Sequence, residues 1–141
     1  MTTRLIVLDQ VESDLKNNLH SANGYEHTPV EIKRGIHKWD DFIMKPVICF
    51  TLTQDVPADE QQYGEDTRWI TLFFYIYAQT DGVGDTTQIF EMIEDLENFL
   101  QSTDHFTYSK QTLIGAIEVK EGGSSDPINT ALLQAQIIYE S

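Results

Sequence analysis

Four histidines, one cysteine and a crowded run of carboxylates are the side chains of this sequence best suited to chemistry. The histidines are His20, His27, His37 and His105. Zinc hydrolases set two histidines one helical turn apart so that both reach one metal. The nearest two here, His20 and His27, lie across the expected end of a helix and read as surface or capping residues. Cys49 stands between Ile48 and Phe50 in a strand pattern, where a thiol behaves as a small buried hydrophobe rather than a nucleophile. As the single cysteine it forms no internal disulfide. Gly82-Val83-Gly84 follows a strand and precedes a helix, as phosphate loops do, but it lacks their third glycine and their lysine. Asp81 and Asp85 also put the wrong charge beside it for phosphate. Asp55, Asp59, Glu60, Glu65 and Asp66 share one loop without EF-hand spacing. A solvated acidic loop, or one salt-bridged to a neighbour, fits them better than a metal. No Gly-x-Ser-x-Gly elbow occurs. The expectation is therefore no catalytic, cofactor or metal site, and no enzyme activity.

Charge is the leading compositional fact. The chain has 141 residues and a formal net charge of −14. That opposes tight binding to a nucleic-acid backbone, which needs Lys and Arg to displace counterions, and it is equally poor for anionic membranes. The charge is uneven. Gln54 to Asp104 holds 12 acids and one base, Arg68, whereas Lys16 to Lys45 holds five bases and four acids. Lys33, Arg34, Lys38 and Lys45 thus offer a basic counter-patch to the acidic loop. Such a pair serves solubility or charge complementarity between copies of one chain. The first residues do not read as a secretory signal, and no window approaches the roughly 18 apolar residues of a membrane span.

The elements that position these residues follow from periodicity. Residues 3–20 predict an amphipathic helix with Leu5, Leu8, Leu15 and Leu19 on one stripe and Val11 nearby, capped by Thr2 or Thr3. His27 to Ile36 alternates Val30, Ile32 and Ile36 against Glu31, Lys33 and Gly35, and Pro29 marks it as an edge strand. Pro46 to Thr53 is a second strand, followed by a long polar loop over 54–66. Arg68 to Gln79 is the most informative stretch. Ile70, Leu72, Phe74, Ile76 and Ala78 form one apolar face, while Trp69, Thr71, Phe73, Tyr75 and Tyr77 form the other. At about 3.3 Å per residue this strand would run roughly 40 Å. Asp85 is expected to cap a helix to about Leu100, with Gln88 in capping-box position and Ile89, Ile93, Leu96 and Leu100 buried. Leu113–Lys120 and Thr130–Glu140 close the order α-β-β-β-α-β-β. This predicts one α+β domain over residues 1–141: a mostly antiparallel sheet of about five strands, with two helices packed on one face. The other face then carries Trp69, Phe73, Tyr75 and Tyr77 with no third helix to cover them, so it is either a partly wet face or one that another subunit covers.

That layout resembles the tail terminator (tail completion) proteins of long-tailed bacteriophages. The likeness rests on the first helix, Pro46-Val47-Ile48-Cys49-Phe50-Thr51-Leu52, the polar loop, Trp69 to Tyr77, the helix ending Leu96-Glu97-Asn98-Phe99-Leu100, and the strand Ala131 to Tyr139. The resemblance implies a structural virion protein, a homo-hexameric ring that caps the tail tube, ends its polymerisation and joins the tail to the head connector. Its partners would be copies of itself, the tail tube protein and the connector or neck protein. DNA would pass through the lumen without specific binding. The site would be the neck end of the virion tail, assembled in the host cytoplasm. Interface candidates are Lys33, Arg34, Lys38, Asp55, Asp59, Glu60, Tyr63, Glu65, Asp66, Trp69, Phe73, Tyr75 and Tyr77. Related tail tube and head–tail joining subunits share much of the architecture and are the alternative reading. An acidic DNA-mimic inhibitor is another, and a small carboxylate enzyme a third.

Overall fold

The computed structural model describes residues 3–38, 40, 42, 46–57, 67–80, 84–102, 109–122 and 128–140. Helix α1 spans Thr3–Asn18 and is followed by a 3-10 turn, Ser21–Asn23. Strands β1 (Glu31–Arg34), β2 (Val47–Pro57) and β3 (Thr67–Gln79) come next. Helix α2 covers Thr87–Gln101, and β4 (Ser109–Lys120) and β5 (Ile128–Glu140) end the chain. The class is α+β, and the five strands form one sheet in the order β1-β2-β3-β5-β4. Every neighbouring pair is antiparallel except β1 and β2, which run parallel.

Both helices lie on one face. Val7, Val11, Leu15 and Leu19 of the α1 segment are fully buried with Ile89, Met92, Leu96, Phe99 and Leu100 of α2. They meet Ile70, Leu72, Phe74, Ile76 and Ala78 of β3, and Ala131, Leu133, Ala135, Ile137 and Tyr139 of β5, in one core. The α2 stripe is the one expected. The α1 stripe needs correction: Leu5 is 45% exposed and Leu8 only half-buried. The buried row is Val7, Val11, Leu15, spaced i, i+4, and Leu5 falls about a third of a turn from its centre. Residue spacing, not residue size, chooses what a helix buries.

The start of α2 also differs. Thr86 is its N-cap and makes no side-chain cap bond. The Gln88 side chain instead accepts a hydrogen bond from the Gln79 N–H at 3.0 Å, so no capping box forms. Asp85 still contributes, accepting from the Thr87 N–H at 3.3 Å. Buried Asn129 donates to the Asp85 carbonyl (2.8 Å) and accepts from the Gly122 N–H (2.8 Å), tying the β4–β5 end to the helix start. Thr2, Gly82 and Val83 lie outside the described residues.

The parallel β1–β2 pair has a topological consequence. A parallel connection must cross the sheet rather than turn back in a hairpin. Gly35, at φ 94, starts that crossing, and its N–H donates to the Phe50 carbonyl at 2.8 Å. A residue with a Cβ is strained at that φ. The chain then passes to the face away from the helices.

Candidate interaction surface

The face of β3 opposite the helices has two unlike ends. At the C-terminal end the crossing segment supplies Phe42, which packs with Val47, Cys49, Tyr77 and Ile128 in a second, smaller core. The Phe42 ring lies 6.3 Å from that of Tyr77 and meets His37 edge-on at 5.9 Å. The Tyr77 hydroxyl donates to the His37 carbonyl at 2.6 Å, so its polar tip is satisfied inside this cover. Cys49 is fully buried here, and burial pushes its thiol pKa up, which disfavours the nucleophilic thiolate.

Toward the N-terminal end no helix among the described residues lies over β3 on this face. Trp69, Phe73 and Tyr75 are half-buried there. The register of β5 sets fully buried Ile138 opposite Trp69 and half-buried Gln136, Gln134 and Leu132 opposite buried Thr71 and half-buried Phe73 and Tyr75 on the same face. This mixture of rings, amides and one aliphatic chain is chemistry that suits contact with another polar-rimmed surface. Tyr77 therefore belongs to an internal core, Tyr75 packs against its margin, and Trp69 and Phe73 carry the half-buried patch beyond it.

A bulge decides where Asp55 goes. β2 pairs in simple register up to Leu52 opposite Leu72, then skips Thr53, so that Gln54 faces Thr71 and Asp55 faces Ile70. The extra residue inverts the alternation beyond it. Asp55 is thereby moved from the open face to the helix side, at the margin of the core. There it accepts from the Arg68 Nε–H (2.9 Å) and the Tyr139 hydroxyl (3.0 Å), and pairs with Arg4 of α1. Its side chain is only 8% exposed. Burial alone would raise the carboxyl pKa, but the hydrogen bonds from Arg68, Arg4 and Tyr139 outweigh it and hold Asp55 below the usual carboxylate range. Burial, and then the Asp55 charge, push Tyr139 upward. Asp55 thus locks α1, β2, β3 and β5 together within one chain, which sequence reading missed because it put a loop where β2 continues.

The basic stretch is partly committed as well. Arg34 pairs with Asp9 and, at 2.6 Å, with Glu12 of α1. Lys33 sits 3.1 Å from Glu31 and 5.8 Å from the centre of the Phe42 ring. Lys38 is exposed. Lys45, Asp59, Glu60, Tyr63, Glu65 and Asp66 lie outside the described residues.

The remaining titratable groups serve local structure. His20 donates to the Lys16 carbonyl at 2.9 Å and His37 to the Arg34 carbonyl at 3.0 Å. Buried Asp95 accepts the N–H groups of Glu26 and His27, each at 2.9 Å, and so fastens the segment after α1 to α2. Among the described residues no three His, Cys, Asp or Glu side chains gather as a metal site would require. Among them, too, no helix is long and apolar enough to cross a membrane. No protein-family model matches the chain, and no curated protein matches it in sequence.

Proposed function

We propose that this chain is a structural ring subunit of the tail-terminator kind. It would cap a phage tail tube at the neck end, stop tube growth and meet the head connector. The observation that carries the reading is the N-terminal end of β3, where Trp69 and Phe73 are half-buried on a sheet face that no helix among the described residues covers. An aromatic patch on such a face is a contact surface for a further subunit. The charge of −14 supports the same reading, because a DNA passage must not hold its cargo. The buried polar groups support it too, since Asp55 and Asp95 are each spent on holding the fold.

Electron microscopy of the purified protein, alone and with tail tubes, tests this. Six-fold rings with a central hole, seated on tube ends, are expected. Reversal of Asp59, Glu60 and Glu65 to Lys is expected to impair ring formation while the monomer stays folded. A protein that stays monomeric at high concentration and also ignores tail tubes removes the reading.

A further inference from the structure

The sheet ends in two strands that each have one ladder partner among the described residues. β1 pairs with β2, and β4 pairs with β5. Such edges leave alternate backbone N–H and C=O groups facing outward, and natural proteins usually blunt them. Here β1 is flanked by Val30 and Ile36, 52% and 69% exposed, the two most exposed large apolar side chains described. Between β1 and α1 lies a groove of about 700 Å³ floored in part by Leu15 and Leu19. Its charged rim is matched within the chain, Lys16 and Arg34 pairing with Glu12 and Lys33 with Glu31, so what it leaves exposed is apolar.

The opposite edge also exposes apolar surface, Val119 of β4 being 39% exposed. Helix α2 packs against β3, β4 and β5. Its Asp95 and Glu91 are turned toward residues 26 and 27, with Glu91 3.7 Å from the His27 ring nitrogen. At 3.6 residues per turn, Phe90, Glu94 and Glu97 fall on the other flank, the one beside β4. Phe90 is 48% exposed.

Strand direction decides how the two edges can meet. β1 and β2 run one way, β3 the opposite way, β5 with β1, and β4 against it. A junction from β4 to the β1 of a second copy, with both helix layers on one side, keeps these directions. The new pair is then antiparallel, the more stable arrangement. The same placement brings the Phe90 flank of one copy to the α1–β1 groove of the next. We infer that copies of this chain join head to tail, with the β4 edge and the Phe90, Glu94 and Glu97 flank seated on the β1 edge and its groove. The inference rests on the ring reading and names the surface that closes the ring, a heterologous contact as cyclic assembly requires.

Sedimentation velocity over a concentration series tests it, with Ile36→Asp blocking the groove edge and Phe90→Asp blocking the flank. Both positions are exposed, and circular dichroism checks that each variant stays folded. Wild type is expected to form oligomers, and each variant to self-associate at least about tenfold more weakly. An equal mixture of the two variants is expected to stop at a heterodimer, because only one intact groove and one intact flank remain. Variants that assemble like wild type, a mixture that stays monomeric, or a monomeric wild type each overturn the inference. Tail-tube capping separates the two proposals. If the variants cap tubes as wild type does, the junction is wrong and the ring reading stands. If wild type forms head-to-tail oligomers that ignore tubes, the junction stands and the tail reading falls.

Discussion

The two faces of β3 are built from one strand and have opposite fates. Ile70, Leu72, Phe74, Ile76 and Ala78 are completely covered by two helices. On the reverse, Tyr77 is covered by the crossing segment through Phe42, while Trp69, Phe73 and Tyr75 stay half-buried. Alternation along a strand makes two faces available, but it does not supply the layer that covers each. The helix face spends its residues on stability. The open end of the other face keeps aromatic surface that gives the monomer little, and that surface is what an assembly can use.

Substitutions that treat the faces separately break or sharpen this contrast. Phe74→Ala leaves a cavity under both helices and beside Phe50, whose ring lies 5.5 Å away, and should cost about 4 kcal/mol in denaturant unfolding. Asp55→Ala at the core margin should cost about 2 kcal/mol, the low end for a broken buried pair, because Arg4 and Arg68 keep access to water. This effect depends on pH. The folded pKa of Asp55 is depressed, so its contribution is complete above the unfolded value of about 3.9 and is lost as pH falls through the lower folded value. The difference between wild type and Asp55→Asn in acid unfolding should therefore shrink only at low pH. Tyr77→Phe removes the bond to the His37 carbonyl and should cost about 1 kcal/mol, since that end of the reverse face is internal. Phe73→Ser should cost far less monomer stability than Phe74→Ala, about 1 kcal/mol, because its ring is only half-buried and leaves no enclosed cavity. Its larger effect should appear as lost binding to tail tubes. A Phe73→Ser loss as large as that of Phe74→Ala would mean that the two faces are equivalent after all.

Much of the core was legible in the residues. The period-two pattern of β3 and β5 and the period-3.6 stripe of α2 identify buried side chains, because a side chain's direction follows from its place in the repeat. The bulge at Thr53 was not legible. Nothing in Thr51-Leu52-Thr53-Gln54 marks an extra residue, and the shift exists only in relation to the register of β3. For that reason Asp55 read as an interface acid when its partners Arg4 and Tyr139 lie far away in the chain, and Arg34, read as part of a basic patch, pairs with α1 because β1 lies beside that helix. The α1 stripe was misread because its four leucines also fall within about a quarter-turn of one another, whereas the row that is buried is rotated from them toward Val7.

By itself, then, the sequence determined the α+β class, the helix-covered face, the buried thiol and the excess of acid, all of which depend on residue type and local repeat. Only the tertiary structure decided that β1 lies parallel to β2, that Phe42 covers half of the reverse face, and that β1 and β4 are the edges. Those depend on which strands meet and in what register. Pairing is a relation between distant segments, and a local pattern carries no record of its partner.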